Sequence, residues 1–257
     1  MKIIAYKKIN INEYLIKLQN HSEIKLYDDT IIKFDLLLLK EIDENKLKEI
    51  IDYNNTLSAY FLAIKYLTKK QRCKKETSDY LIKKEFSKNT IELVIKRLEK
   101  EGYINDIKYV NAYINDQINL TLNGPNKIKQ NLKKLNIKED IISERIEQID
   151  DEIFTQKIEK IVEKRIKTNK KSNQIFKNEL KNYLLNQGYL KEQFSNIVNN
   201  INIDDNTNFF KKANIIYKKL TRKYEGNELK MQLKNKLYMQ GFSLEQINNY
   251  IESITTD

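Results

Sequence analysis

Hydrophobic residues recur along this chain with two different periods. Residues 2–9 (KIIAYKKI), 13–19 (EYLIKLQ) and 23–27 (EIKLY) are short runs rich in Ile, Leu and Tyr, divided by polar turn residues such as Asn20-His21-Ser22. Such runs predict a small antiparallel meander of two or three strands. At Asp28-Asp29, a capping pair, the spacing turns helical through Ile31, Ile32, Leu36 and Leu39, and a second helix is expected from Asp43 to about Tyr53.

Beyond residue 55 the chain repeats itself. Four 18-residue stretches align without a gap: LIKKEFSKNTIELVIKRL from Leu81, LKKLNIKEDIISERIEQI from Leu132, LLNQGYLKEQFSNIVNNI from Leu184 and LYMQGFSLEQINNYIESI from Leu237. Their starts lie 51, 52 and 53 residues apart. The first column is always Leu; the sixth is Phe86, Ile137, Tyr189 and Phe242; the eleventh is Ile91, Ile142, Phe194 and Ile247; the last is Leu98, Ile149, Ile201 and Ile254. The fifth, Glu85, Asn136, Gly188 and Gly241, is where a left-handed residue would follow a helix end. Each stretch reads as a helix end, a tight turn and a second helix with apolar residues at columns 11, 14, 15 and 18. The period leaves room for one more helix ahead of each, over Leu57–Thr68, Asp106–Leu120, Asp151–Lys167 and Thr207–Lys223. The expected fold is mostly α: a strand and helix domain over 1–55, then three-helix repeats over 56–104, 105–150, 151–203 and 204–257. A unit of this size buries little by itself, so neighbours should stack and share apolar faces.

Composition narrows the chemistry. The 257 residues include one Cys, one His, one Pro, five Gly and no Trp. A single thiol excludes a disulfide framework and any multi-Cys zinc or iron–sulfur site, and it fits a reducing cytosol. His21, in a polar turn, reads as exposed. With so few His, Cys and Gly residues, hydrolytic, metal and nucleotide-cradling chemistries lack their parts, so a protein without catalysis or cofactor is expected. No apolar run approaches the roughly 20 residues that span a bilayer. The start also lacks the apolar stretch of a signal peptide, and a cytoplasmic location is expected.

Charge matters by its distribution. The 47 Lys and Arg against 36 Asp and Glu give +11. Of the cations 42 are Lys and 5 are Arg, in a chain crowded with Ile and Asn, as AT-rich codon usage produces in any protein. Residues 1–55 hold 9 cations and 10 anions, whereas 56–150 and 151–257 each hold 19 against 13. The excess belongs to the repeats.

Three segments in order resemble a known family. Residues 72–86 read RCKKETSDYLIKKEF, in which Arg72, Glu76, Leu81 and Phe86 fit, with Cys73 in place of the usual Ser and Glu85 in place of the usual Gly. Residues 98–113 carry Leu98, Gly102-Tyr103-Ile104-Asn105-Asp106, Tyr109 and Ala112; residues 123–137 carry Gly124-Pro125, Ile128, Leu132 and Ile137. These resemble RecX, the bacterial regulatory protein that restrains the RecA recombinase, most strongly over 56–150, and the N-terminal meander is similar to that of the longer RecX proteins of low-GC Gram-positive bacteria. The resemblance implies tandem three-helix modules in an elongated, curved body. It implies binding, without a catalytic site, along the groove of the RecA–single-strand DNA filament, inhibiting filament growth and strand exchange. RecA filaments and single-stranded, or also double-stranded, DNA are thus the expected partners of a monomeric protein.

The candidate binding residues are basic. Residues 65–75 (KYLTKKQRCKK) hold Lys65, Lys69, Lys70, Arg72, Lys74 and Lys75 with no acid among them. This is a solvated helix end favoured by the helix dipole, or a set of phosphate contacts whose binding falls with salt. Arg72 suits a phosphate or a carboxylate through its planar fork. Lys127, Lys129, Lys133 and Lys134 follow in repeat two, Lys164, Arg165, Lys167, Lys170 and Lys171 in repeat three, and Lys218, Lys219, Arg222 and Lys223 in repeat four. If the modules stack regularly, these charges form a stripe. Tyr60, Tyr66, Tyr80, Tyr103, Tyr113, Tyr183 and Tyr189 fall on apolar columns and read as core. Gly102 and Gly188 read as helix caps, Gly124-Pro125 as a helix start, and Cys73 as a variant N-cap. The alternatives are a pure protein-interaction solenoid, which leaves the cationic residues and RecX motifs unexplained, and a helix-turn-helix DNA-binding regulator. Four modules in series and the absence of an Arg/Gln/Asn cluster for base edges count against it.

Overall fold

The computed structural model describes residues 1–39 and 41–254. Three strands, β1 (Ile3–Lys8), β2 (Glu13–Leu18) and β3 (Glu23–Tyr27), form an antiparallel sheet in the order β1-β2-β3. The expected meander is present, and β2 registers Ile16 against Tyr6 on one side and Ile24 on the other. The chain then enters α1 (Asp28–Lys33), which ends well short of Leu39. Asp35 takes a left-handed conformation, with φ of 50°, which halts the helix; Leu36 is still fully buried and Leu39 packs on the same core, whereas Ile32 is 70% exposed.

A second departure is larger. The two helices expected over 43–53 and 57–68 are one, α2 (Glu44–Leu67), capped by the Asp43 side chain on the Lys46 amide. Residue 55, the expected domain boundary, lies inside it. The polar run Tyr53-Asn54-Asn55-Thr56 contains no Gly or Pro, so nothing breaks the backbone. Asn54 instead faces inward. Its Oδ1 accepts from the Tyr27 amide (2.8 Å) and the Thr30 hydroxyl (3.0 Å), and its Nδ2 donates to the Lys25 carbonyl (3.1 Å). The first half of α2 therefore closes the core of the sheet, with Ile50 against Ile16, Leu18, Leu26, Ile31, Leu36 and Ile42. Its second half supplies Ala59, Tyr60 and Ala63 to a separate core.

That second core is the first three-helix module, completed by α3 (Lys74–Ile82) and α4 (Lys88–Lys100). The next three modules are α5 (Asp106–Leu120), α6 (Pro125–Lys134) and α7 (Glu139–Glu147); α8 (Asp151–Lys167), α9 (Asn173–Asn186) and α10 (Lys191–Asn200); and α11 (Asn206–Leu220), α12 (Gly226–Met239) and α13 (Leu244–Ser253). The tandem three-helix architecture follows the sequence period. Leu81, Leu132, Leu184 and Leu237, the first column, are all fully buried, as are Ile142, Phe194 and Ile247 of the eleventh. The fifth column is left-handed in every module, with φ of 65° at Glu85, 57° at Asn136, 85° at Gly188 and 74° at Gly241. The last column is less uniform. Leu98 is buried, but Ile149 lies beyond the end of α7 and is half-buried, so it does not anchor a helix as expected.

The chain packs as two compact units. One comprises Met1–Asn111 with Leu135–Ile137, the left-handed turn of module two; the other comprises Ala112–Lys134 and the described residues from Lys138 onward. No helix among the described residues is long and apolar enough to cross a membrane.

Candidate functional site: module joints and the basic surface

The family-motif residues build joints and cores. In the second unit, α6 opens at Gly124-Pro125 directly against the turn of module three. The Gly124 amide donates to the Gln187 carbonyl (2.7 Å), the Asn126 amide to the Gly188 carbonyl (3.0 Å), and the Tyr189 hydroxyl to the Leu122 carbonyl (3.0 Å). A Cβ on Gly124 would sit 2.6 Å from the Gly188 carbonyl carbon, and one on Gly188 would sit 2.4 Å from the Lys127 amide nitrogen. These glycines are therefore close-approach residues as well as a helix start and a cap. The joint of modules three and four repeats the scheme. The Ser172 hydroxyl, the cap of α9, donates to the Gln240 carbonyl (2.6 Å), and a Cβ on Gly241 would lie 2.8 Å from the Ser172 Oγ. A cap residue of one module thus meets the left-handed turn of the next.

Module one shows what its motif residues do. Cys73 is buried and caps α3, its amide donating to the Glu76 carboxylate (3.2 Å). Burial above all pushes its thiol up to about 11, so it stays protonated and unreactive near neutral pH. Leu81 is fully buried and Phe86 packs against the same core. Gly102 is left-handed with open space around it, and Asn105 caps α5 through the Lys108 amide (2.9 Å), placing Asp106 at the positive end of that helix. Tyr103, expected in the core, is 52% exposed. Tyr60 and Tyr189 are buried as expected, and Tyr66 stacks face to face on Tyr80 with ring centroids 4.1 Å apart.

Three of the arginines serve structure. Arg72 Nη1 meets Glu76 at 3.2 Å while its guanidinium lies 4.8 Å from the Tyr66 ring. Arg97 covers the Tyr60 ring at 3.8 Å and binds Glu101 at 2.8 Å, and the Tyr60 hydroxyl donates to the same carboxylate at 2.6 Å. Those two hydrogen bonds, Arg97's first, hold Glu101 below the usual carboxylate range, while burial pushes Tyr60 up to about 12. Arg165 stacks on Tyr183 at 3.6 Å. A planar guanidinium can lay its face on a ring while its edge holds a fork of donors toward a carboxylate.

The lysines divide into paired and free. Lys74 pairs with Glu99 (2.9 Å), Lys75 with Asp79 (3.5 Å), and Lys129 and Lys133 both with Glu139 (3.2 and 2.7 Å), while Lys127 donates to the Gln187 side chain (3.2 Å). Among the described residues, Lys65, Lys69, Lys70, Lys134, Lys164, Lys167, Lys218, Lys219, Arg222 and Lys223 are exposed and in no ion pair. Of these candidates all but Lys134 lie at or just past the end of the first helix in modules one, three and four, while Lys83, Lys88, Lys96, Lys100 and Lys160 are likewise exposed and in no ion pair elsewhere. Lys170 and Lys171 follow α8, with Lys171 held by Glu179.

Module two differs, and a residue that sequence reasoning missed explains how. The last turn of α5 has no basic residue. Lys157 of α8, 7% exposed, supplies the charge: its Nζ donates to the Gln117 and Thr121 carbonyls, both at 3.0 Å. Burial, then Lys160, lowers its pKa from the ordinary lysine value. The signal was a Lys on the apolar stripe of α8, between Phe154 and Ile158/Ile161. Replacing Lys157 with Met should destabilise the second unit by about 1–2 kcal/mol, since a charged hydrogen-bond pair is lost while the ammonium desolvation cost is relieved. Urea denaturation of the full chain measures this, and an unchanged or higher midpoint would mean the lysine is not a net cap.

Comparison with known proteins bears on all of this. The family model for the first three-helix domain of RecX matches residues 59–98, the span from Ala59 in α2 to Leu98 in α4. A regulatory protein RecX from Oceanobacillus iheyensis is 29% identical over 266 residues, covering 99% of this chain and 97% of its own. A crystal structure of regulatory protein RecX superposes with a TM-score of 0.67 over 76% of this chain and 97% of that one, at 22% identity, which speaks to the fold. A second, of RecX from Lactobacillus salivarius, is 26% identical with a TM-score of 0.52 over 57% of this chain and 96% of that one. A regulatory protein RecX from Streptococcus pyogenes is 30% identical over 248 residues, 91% of this chain and 93% of its own, and with four three-helix modules behind a strand meander the chain belongs to the RecX family.

Proposed function

We propose that the protein is a non-catalytic regulator that binds the RecA–single-strand DNA filament and restrains its assembly, ATP hydrolysis and strand exchange in recombination and repair. The observation that carries this reading is the recurrence of unpaired cations at the same point of modules one, three and four. Other exposed lysines are scattered over the modules, but this set recurs at one helix end. A filament offers a repeating anionic surface of phosphates and acidic side chains, which repeating cations match. The paired lysines, Lys74, Lys75, Lys129 and Lys133, hold their partners in exposed ion pairs worth about 0–1 kcal/mol and can exchange them for phosphate at small cost. Arg72 serves this reading indirectly, by fixing the turn that carries Lys69 and Lys70. The protein acts in the cytoplasm and as a monomer, with no cofactor.

The test is RecA ATP hydrolysis on single-stranded DNA, followed with the full-length protein and with Lys69→Glu/Lys70→Glu. The parent should slow hydrolysis. The variant should need on the order of tenfold more protein or greater for the same effect, with a shallower dependence on salt, because each lost phosphate contact removes a released counterion. Equal potency of parent and variant at moderate salt would remove the module-one cations from the interface. No effect of the parent on hydrolysis or strand exchange would overturn the reading.

A further inference from the structure

Helix α11 of module four is unlike the other first helices. From Asn206 to Tyr224 the chain holds Lys211, Lys212, Lys218, Lys219, Arg222 and Lys223 and no acid. All six are exposed, and none is in an ion pair among the described residues. Phe209, Ala213 and Leu220 turn inward to the module core. The opposite side carries Lys211 and Lys218, seven residues and two turns apart, with Arg222 in the turn that follows. Arg72, Arg97 and Arg165 are held on tyrosine rings, and Arg145 meets Gln148 and Glu144. Arg222 is the one arginine presented to solvent without a partner among the described residues.

Beside this row lies an aromatic surface. Phe210 is 52% exposed, an unusual place for a phenyl ring on a lysine-rich helix. Its ring is braced edge-on by Phe209 (5.3 Å) and tilted against Tyr250 (6.3 Å). The Tyr250 hydroxyl is itself fixed by the Asn214 side chain at 2.6 Å. Phe210 and Tyr250 line a hollow of about 190 Å³ together with the amide side chains of Asn206 and Asn249. A braced exposed ring, amides able to donate and accept at one edge, and a row of unpaired cations alongside are the components of single-strand recognition. Bases stack on the ring, and phosphates follow the charge.

We propose that the outward face of α11 is a single-stranded nucleic-acid site of its own, in which Phe210 stacks a base in the hollow by Tyr250 while Lys211, Lys218 and Arg222 hold the adjoining phosphates. A duplex keeps its bases stacked inside and can use the cations but not the ring. The site shares Lys218 and Arg222 with the cations of the filament reading, but it requires nucleic acid without RecA and so is tested separately from it.

The experiment is fluorescence anisotropy of the full-length protein with a labelled 12-nucleotide oligo(dT) and with a duplex of equal length, RecA absent. Lys218→Glu/Arg222→Glu should weaken binding to both by tenfold or more and flatten the salt dependence. Phe210→Ala should weaken oligo(dT) binding about five- to a hundred-fold and leave the duplex unchanged, the range expected for loss of one stacked base. Phe210→Tyr should restore single-strand binding, which separates stacking from any loosening of the Phe209–Tyr250 packing. Undiminished oligo(dT) binding by Phe210→Ala, equal losses for strand and duplex, or failure of the tyrosine to restore would overturn the proposal. Full oligo(dT) binding by a protein with no effect on RecA hydrolysis would support this site while removing the filament reading.

Discussion

Gly188→Ala is expected to destabilise the second unit by roughly 2–5 kcal/mol, from left-handed strain of about 1–2 kcal/mol and a further 1–3 kcal/mol of overpacking. The position has φ of 85°, and the new methyl would lie 2.4 Å from the Lys127 amide nitrogen and 2.6 Å from the Lys127 Cβ. The obstructing atoms are largely backbone of α6, pinned by the Gly124 and Asn126 hydrogen bonds to Gln187 and Gly188, so they cannot move aside like a side-chain tip. Gly102→Ala supplies the control. It has a similar φ of 79° but nothing within 4 Å of the built Cβ, and it should show the strain alone, about 1 kcal/mol. Differential scanning calorimetry of the two variants and the parent separates the effects. Equal losses would mean that the joint has slack and that both glycines act only through φ.

Leu98→Asp should go further and unfold module one. Leu98 is fully buried in the cluster of Ala59, Tyr60, Ala63, Leu81, Ile91, Val94, Ile95 and Ile104, and its carbonyl receives the Tyr103 and Ile104 amides that shape the turn into α5. The Tyr60 hydroxyl in that cluster already donates to Glu101, and burying an unpaired carboxylate beside it places the loss above about 4 kcal/mol. Leu98→Ala, which leaves a cavity but no charge, should cost about 2–5 kcal/mol and keep the module folded. Ile149→Asp, half-buried and past the end of α7, should cost less than half as much as Leu98→Asp. Far-ultraviolet circular dichroism and urea titration distinguish the three. A Leu98→Asp protein with the parent's helix content and midpoint would show that α4 is dispensable to the module core.

The sequence by itself determined the repeated features that depend on near neighbours. Apolar columns at helical spacing put Leu81, Leu132, Leu184 and Leu237 inside, because a helix repeats its inner face every three to four residues whatever it packs against. The left-handed positions after each second helix were equally local, since a helix end needs such a residue, and Glu85 and Asn136 adopt it without being glycine. Pro125 at a helix start and Cys73 as a cap belong to the same class.

The tertiary structure alone decided which residues meet. Asn54 looked like part of a break between helices, but it is the bracket joining α2 to the sheet, because its partners Tyr27, Thr30 and Lys25 are 24 to 29 residues away. Lys157 caps a helix whose end lies 36 residues earlier, and no periodicity within α8 encodes that carbonyl. Composition counted every lysine alike, yet Glu139 engages Lys129 and Lys133 while Lys218 and Lys219 stand free. Gly188 read correctly as a cap, but its second role, the backbone approach of α6, exists only once module two is laid against module three. Local spacing fixes what a segment can bury, whereas hydrogen bonds, ion pairs and steric limits between distant segments follow from which surfaces the fold brings within a few ångströms.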